Sequence, residues 1–237
     1  MKTRNIFLLC PAILMGILLT FTTGCKDDKD NDAAPSNSVA DGSGNYYQYV
    51  TIGTQTWLST NLKTTKYNDG TPIENPTNNN DWSSATDGAY AWYNNDIENA
   101  GYGALYNWYA VNTNKLCPPA WRVSTNEDWE LLTEFLGGMI VAGGKLKSTN
   151  TFPESNPGWK SPNTNATDDF NFSALPGGAR TNERFNALTE MGYFWTSSID
   201  QFTQMPYFNT LFSGLGVLMS SAYGGKTEGL SVRCVKE

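Results

Sequence analysis

Helical periodicity is confined to two short segments of this chain, and beyond Gly143 the pattern gives way to short β-like runs between turn residues. That distribution fixes the fold class as α+β, because runs of strands segregated from helices exclude the alternating βαβ pattern of a parallel sheet. The first helical segment is "GALYNWYAVN", in which Leu105, Trp108 and Tyr109 recur at i, i+3, i+4. The second is "STNEDWELLTEFLGG", capped by Ser124 or Thr125 with Glu127 or Asp128 three residues on. Trp129, Leu132 and Leu136 form its buried stripe, and Gly137 ends it. Ahead of both, "NYYQYVTIGTQTWLSTNL" alternates polar and apolar residues around a Gly-Thr turn and reads as a β-hairpin. "KYNDGTPIENPTNNNDWSS" is loop, and "FNFSALPGGAR", "GYFWTSS", "YFNTLF", "GVLMSS" and "LSVRCVKE" are the later β-like runs. No repeat at a fixed period is evident.

The N-terminal region speaks about location. Lys2 and Arg4 precede a 16-residue apolar run, Ile6 to Phe21, which Pro11 and Gly16 interrupt. A spanning helix wants about 20 apolar residues, so residues 1–24 read as a secretory signal rather than as a retained anchor. The segment ends "TTGC", which resembles a bacterial lipobox, and Cys25 is then the lipid-attachment residue. One acyl chain holds a membrane only marginally, at roughly 10⁴ M⁻¹, so such an anchor needs more than one. The following "CKDDKDND" resembles the surface-export signal of lipoproteins in the phylum that includes Bacteroides. It reads equally as a solvated spacer. Residues 25–45 are expected to be a flexible acidic tether and residues 46–237 the folded domain. The expected location is the outer membrane, lipid-anchored and facing the cell exterior, with periplasmic retention as the alternative.

Removing residues 1–24 takes away two basic and no acidic residues, leaving 14 basic against 23 acidic, a formal charge of −9. Nucleic acid is an unsuitable partner for such a surface, since phosphate binding needs a basic patch. Histidine is absent, which removes the commonest general base, the commonest metal ligand and every Ser-His or Cys-His nucleophile. A domain of about 190 residues buries roughly 70% of its unfolded surface, enough for one core. Most of the eight tryptophans, Trp108 and Trp129 among them, are assigned to it. Cys10 leaves with the signal, so Cys117 and Cys234 are the thiols of the domain. Exported thiols tend to pair, and a bond between them would stabilise the fold by about 4.7 kcal/mol in the chain-entropy picture. The competing reading is a reactive pair, disfavoured by the missing histidine and the apolar neighbours Leu116 and Val235.

Several segments together resemble the Fibrobacter succinogenes major paralogous domain, an exported bacterial family. They are "TIGTQTWLSTNLKTTKYNDGTPI", "GALYNWYAVN", "LCPPAWRVSTNEDWELLTEFLGG", "ALPGGAR", "FWTSS" and "LSVRCVKE", in order over residues 46 to 237. "WRVSTNEDWE" is also similar to the "RLPTEAEWE" helix start of formylglycine-generating-enzyme-like domains, and "LSVRCV" to their final "GFRC" strand. Ser124 stands where that pattern has proline, a change the helix cap survives. The resemblance implies a C-type-lectin-like fold: a terminal hairpin, two helices, a long loop region, antiparallel strands, and a disulfide to the last strand that Cys117 and Cys234 fit. It implies no reaction for this chain.

The chemistry can be narrowed further. Formylglycine generation needs reactive cysteines, which the expected bond removes. A glycosidase needs two carboxylates about 5–10 Å apart, whereas Glu127, Asp128 and Glu130 open a helix, where the dipole favours acids. "PGGAR" lacks the helix and Lys-Ser of a phosphate loop. Calcium is the one cofactor left open: Asn163, Asn165, Asp168 and Asp169 are oxygen donors of the kind it takes, without EF-hand spacing. Asn and Asp are also ordinary turn residues. The expectation is a non-catalytic binding domain for an extracellular glycan or protein, with Trp159, Asn163, Asp168 and Tyr207 as the candidate ligand-binding residues. The alternatives are a structural or adhesive subunit of a surface assembly, and then a polysaccharide-acting enzyme with a carboxylate pair.

Overall fold

The computed structural model describes residues 36–222 and 224–237. All fall within the unit Ala34–Glu237, and the signal, Cys25 and the acidic stretch lie outside the described residues. The first ladder begins with β1 (Ser38–Ala40), β2 (Tyr46–Ile52) and β3 (Gln55–Leu58). Ile52 and Gln55 face each other across a two-residue turn, and Gly53 takes the positive φ of 60° that this connection demands of its first residue. Ordered structure therefore starts earlier than residue 46. Ser38–Ala40 pairs with Tyr46–Gln48, and the Asp41 carboxylate accepts from the Ser43 and Asn45 backbone N–H groups and from the Tyr47 hydroxyl at 2.6 Å. The stretch reads as linker because its strand is three residues long and Val39 alone of its three packs on the core.

Helices α1 (Asn79–Ser83) and α2 (Trp108–Val111) are short. Asn107 caps α2 by accepting from the Ala110 N–H, while Leu105–Tyr106 pairs with Tyr90–Ala91 as strand. The helical face expected of Leu105, Trp108 and Tyr109 thus splits between two elements. Strand β4 (Trp121–Val123) leads into α3 (Asn126–Phe135). Thr125 and Asp128 close a reciprocal capping box on α3, and Trp129, Leu132 and Leu136 are buried. Helix α4 (Met139–Leu146) was not expected. Its Gly143-Gly144 pair argues against helix on propensity. The packing requires it: a Cβ on Gly143 would meet the Val217 carbonyl oxygen at 2.1 Å, and one on Gly144 the Asn165 oxygen at 2.3 Å.

The C-terminal third supplies β5 (Met191–Ile199), β6 (Pro206–Phe212), β7 (Leu218–Ser221), β8 (Ser231–Val232) and β9 (Cys234–Lys236). The largest sheet has the order β1-β2-β3-β9-β4, antiparallel throughout; a four-stranded sheet runs β7-β6-β5-β8, with β5 and β8 parallel. This is the mixed, mostly antiparallel α+β architecture read from the sequence. A disulfide joins Cys117, just ahead of β4, to Cys234 in β9, with Cα atoms 6.0 Å apart. Seven tryptophans are buried, in three clusters of which two are large.

Candidate functional site

Three cations are fully buried, and none forms an ion pair among the described residues. Burying an unpaired charge is expensive unless hydrogen bonds replace its water. Arg233, the single residue between β8 and β9, donates to the carbonyls of Leu58 (2.7 Å), Phe172 (2.6 Å) and Ser173 (2.9 Å) and to Asn61 Oδ1 (3.0 Å). Its guanidinium carbon lies 4.3 Å from the centre of the Phe172 ring. Burial pulls its pKa down to about 9, against an opposing pull from Asp168. Lys147 donates to the Thr164, Phe212 and Leu215 carbonyls at 2.8–3.0 Å, and burial lowers it to about 8. Arg180 reaches the Pro76 carbonyl at 2.8 Å and lies 4.1 Å over the Trp82 ring, with its pKa lowered by burial to about 10. Each cation gathers carbonyls from distant loops. These are scaffold, and the groups open to ligands lie elsewhere.

The loop candidates from the sequence belong to that scaffold. Trp159 is wholly buried and donates its indole N–H to the Ala174 carbonyl at 2.8 Å, so it offers no face to a sugar. Asn163 is buried and donates to the Ser148 carbonyl. Asp168 accepts from the Ser173 N–H (2.8 Å) and hydroxyl (2.6 Å), while Asn165 and Asp169 are exposed. Both Asp168 oxygens are thus engaged, and no three acidic, Cys or His side chains converge among the described residues.

A groove lies between α3, the start of α4 and strands β6 and β7. Its cavity is about 480 Å³, walled by Trp129, Glu130, Thr133 and Met139 and closed by Asn209 and Leu218. Asn209 carries the decisive feature. It is fully buried, and neither its carboxamide oxygen nor its nitrogen has a hydrogen-bond partner. Leaving such a group unsatisfied costs about 1–3 kcal/mol. The two-residue alternation of β6 puts Asn209 on the side of Leu211, against the Trp129 cluster. Ser220, its partner across β7, donates instead to Asn126 Oδ1 at 3.0 Å. Of the four candidate ligand residues only Tyr207 stands beside this groove, two positions from Asn209 on the same face. Its hydroxyl donates to Asp200 at 2.9 Å, a bond that raises the phenol's pKa, and four hydrogen bonds led by the Thr203 N–H hold Asp200 below the usual carboxylate range.

Acids border the groove. Glu127, Glu130 and Glu134 are exposed along α3 at i, i+3 and i+7. Asp128 turns the other way. Burial opposes its ionisation, but the Arg122 guanidinium and the Thr125 N–H outweigh that and lower its pKa. It is a cap, as read from the sequence. The groove itself went unread, and its one signal in the sequence is an amide in mid-strand in "YFNTLF", a strand with buried residues on both faces.

Against known families, residues 50–236 match the Fibrobacter succinogenes major domain. The chain belongs to that family. The match runs from β2 into β9, and so takes in the groove and the disulfide. No curated protein and no solved structure matches the chain. In this Fibrobacter succinogenes major domain, "ALPGGAR" and "LSVRCVKE" supply the buried Arg180 and Arg233, whereas Met139, Asn209 and Leu218 come from outside the motifs that carried the resemblance.

Proposed function

We propose that this chain is a surface-exposed lipoprotein, acylated at Cys25, whose domain is a non-catalytic module binding an extracellular glycan or protein. The observation that carries the binding reading is Asn209: a buried carboxamide with both polar atoms unused, covered by the side chains that line a groove. Such an arrangement costs stability, and a ligand that supplies a donor and an acceptor recovers it. The non-catalytic reading rests on the absent histidine, the disulfide that occupies both domain cysteines, and carboxylates engaged as caps or set along an exposed helix face. We further read the fold as a variant of the C-type-lectin-like arrangement. The β2–β3 hairpin joined by the terminal strand β9 and the bond at Cys234 support that reading.

The test compares the wild-type protein with Asn209→Leu on a glycan array and in cell-adhesion assays. Loss of binding in the variant, with its fold retained, is the expected result. Binding that is indifferent to Asn209 would overturn the assignment of the groove. Turnover of a polysaccharide, abolished by one carboxylate substitution, would overturn the non-catalytic reading.

A further inference from the structure

Resting on the reading of the groove as a binding site, its lining narrows the ligand. Sugar sites present an exposed aromatic face, but the groove's one aromatic residue, Trp129, is 1% exposed, and its indole N–H is spent on the Ser124 hydroxyl at 2.8 Å. The exposed apolar side chain of the lining is Met139, 56% exposed, with Leu218 buried in the wall behind it. An unbranched thioether of that kind adapts to varied apolar side chains. The Asn209 carboxamide offers one acceptor oxygen beside donor N–H groups, the complement of a backbone peptide unit. No Lys or Arg lines the groove, while Glu130 and Glu134 flank it and Glu127 extends the same stripe. That charge favours a cation.

We propose that the groove takes an extended polypeptide segment of a protein partner. One aliphatic side chain enters the cavity, its backbone amide pairs with Asn209, and a neighbouring Lys or Arg lies along Glu130 and Glu134. The ligand reaches the covered carboxamide by displacing side chains of the lining, of which Met139 is the most adaptable.

The experiment titrates the full chain by calorimetry with an acetylated, amidated heptapeptide of Lys and Ala around a central Leu. Three further probes accompany it: the same peptide with Ser for Leu, one with Glu for Lys, and a panel of oligosaccharides. The expected result is binding of the Lys/Leu peptide alone, weakened about tenfold or more by Glu130→Gln/Glu134→Gln and by Asn209→Leu. Raising NaCl from about 0.05 to about 0.5 M should weaken it further. Unchanged melting of the double Gln variant would show that it folds, and Asn209→Leu should melt higher than wild type. Equal binding of the Ser peptide, or no peptide binding at all, overturns the proposal. Oligosaccharide binding that is lost in Asn209→Leu would sink the peptide assignment but keep the groove as a binding site. Oligosaccharide or peptide binding untouched by any of these substitutions would sink both.

Discussion

The Arg233 guanidinium donates to the carbonyl oxygen of Leu58 at 2.7 Å, across 175 positions of sequence. The same side chain holds Phe172 and Ser173, so one residue ties the first hairpin, the long loop and the junction between the two sheets. Lysine has the charge but lacks the planar fork that reaches several acceptors at once. Arg233→Lys should therefore lose at least two charge-assisted bonds and destabilise the domain by about 3–6 kcal/mol. Denaturant unfolding of the two proteins measures the difference.

Removing the disulfide tests the second tie. Cys117 and Cys234 are 117 positions apart, and opening a loop of that length frees the unfolded chain by about 4.7 kcal/mol. The Cys117→Ser/Cys234→Ser double variant should unfold at correspondingly lower denaturant, with the slope altered because the unfolded state expands. A mass difference of two hydrogen atoms between native and reduced protein would confirm the bond in purified material.

Asn209→Leu should stabilise rather than destabilise. The substitution is close to isosteric and removes two buried polar atoms that bond to nothing. A gain of about 1–3 kcal/mol is expected, or roughly 2–4 °C in melting temperature for each kcal/mol at this size. A lower melting temperature would show that the amide is satisfied in the folded protein.

Alkaline stability follows from the buried groups. Lys147 is lowered by burial to about 8, whereas in the unfolded chain it titrates at roughly 10.4. Between those values the unfolded state binds more protons, so this contribution to unfolding free energy rises with pH and is lost as pH falls through about 8. Arg233, lowered to about 9, acts in the same sense. Tyr47 and Tyr106, raised mainly by burial, act oppositely once unfolded tyrosine ionises above roughly pH 10. Thermal melts from neutral pH upward should show stability climbing above pH 8 and turning over near pH 10. A steady decline from pH 7 would contradict the pull of burial on Lys147.

What the sequence disclosed depended on how local each cause is. The capping box of α3 was legible because Thr125 and Asp128 satisfy each other within four residues. The pairing of Cys117 with Cys234 was legible from count and from the expected compartment. Helix α4 was hidden, since two glycines outweigh its propensity and only contact with Val217 and Asn165 explains them. Strand β1 was hidden because three residues leave almost no pattern. Trp159 was misplaced as a ligand platform because its burial depends on Ala174 and Lys147, which fold over it from separate segments. Asn209 could be assigned to a face by alternation, but its missing partners exist only in three dimensions.

The position of β9 sets the order of events in the cell. It pairs with β3 on one side and β4 on the other, yet it is the last of the three to leave the ribosome. Until residue 236 has been made, the five-stranded ladder has a gap at its fourth place and Arg233 has not reached its carbonyls. Closure of the five-stranded sheet therefore waits on an element that comes late in chain order, and β4 cannot be tied to β3 before β9 is in place.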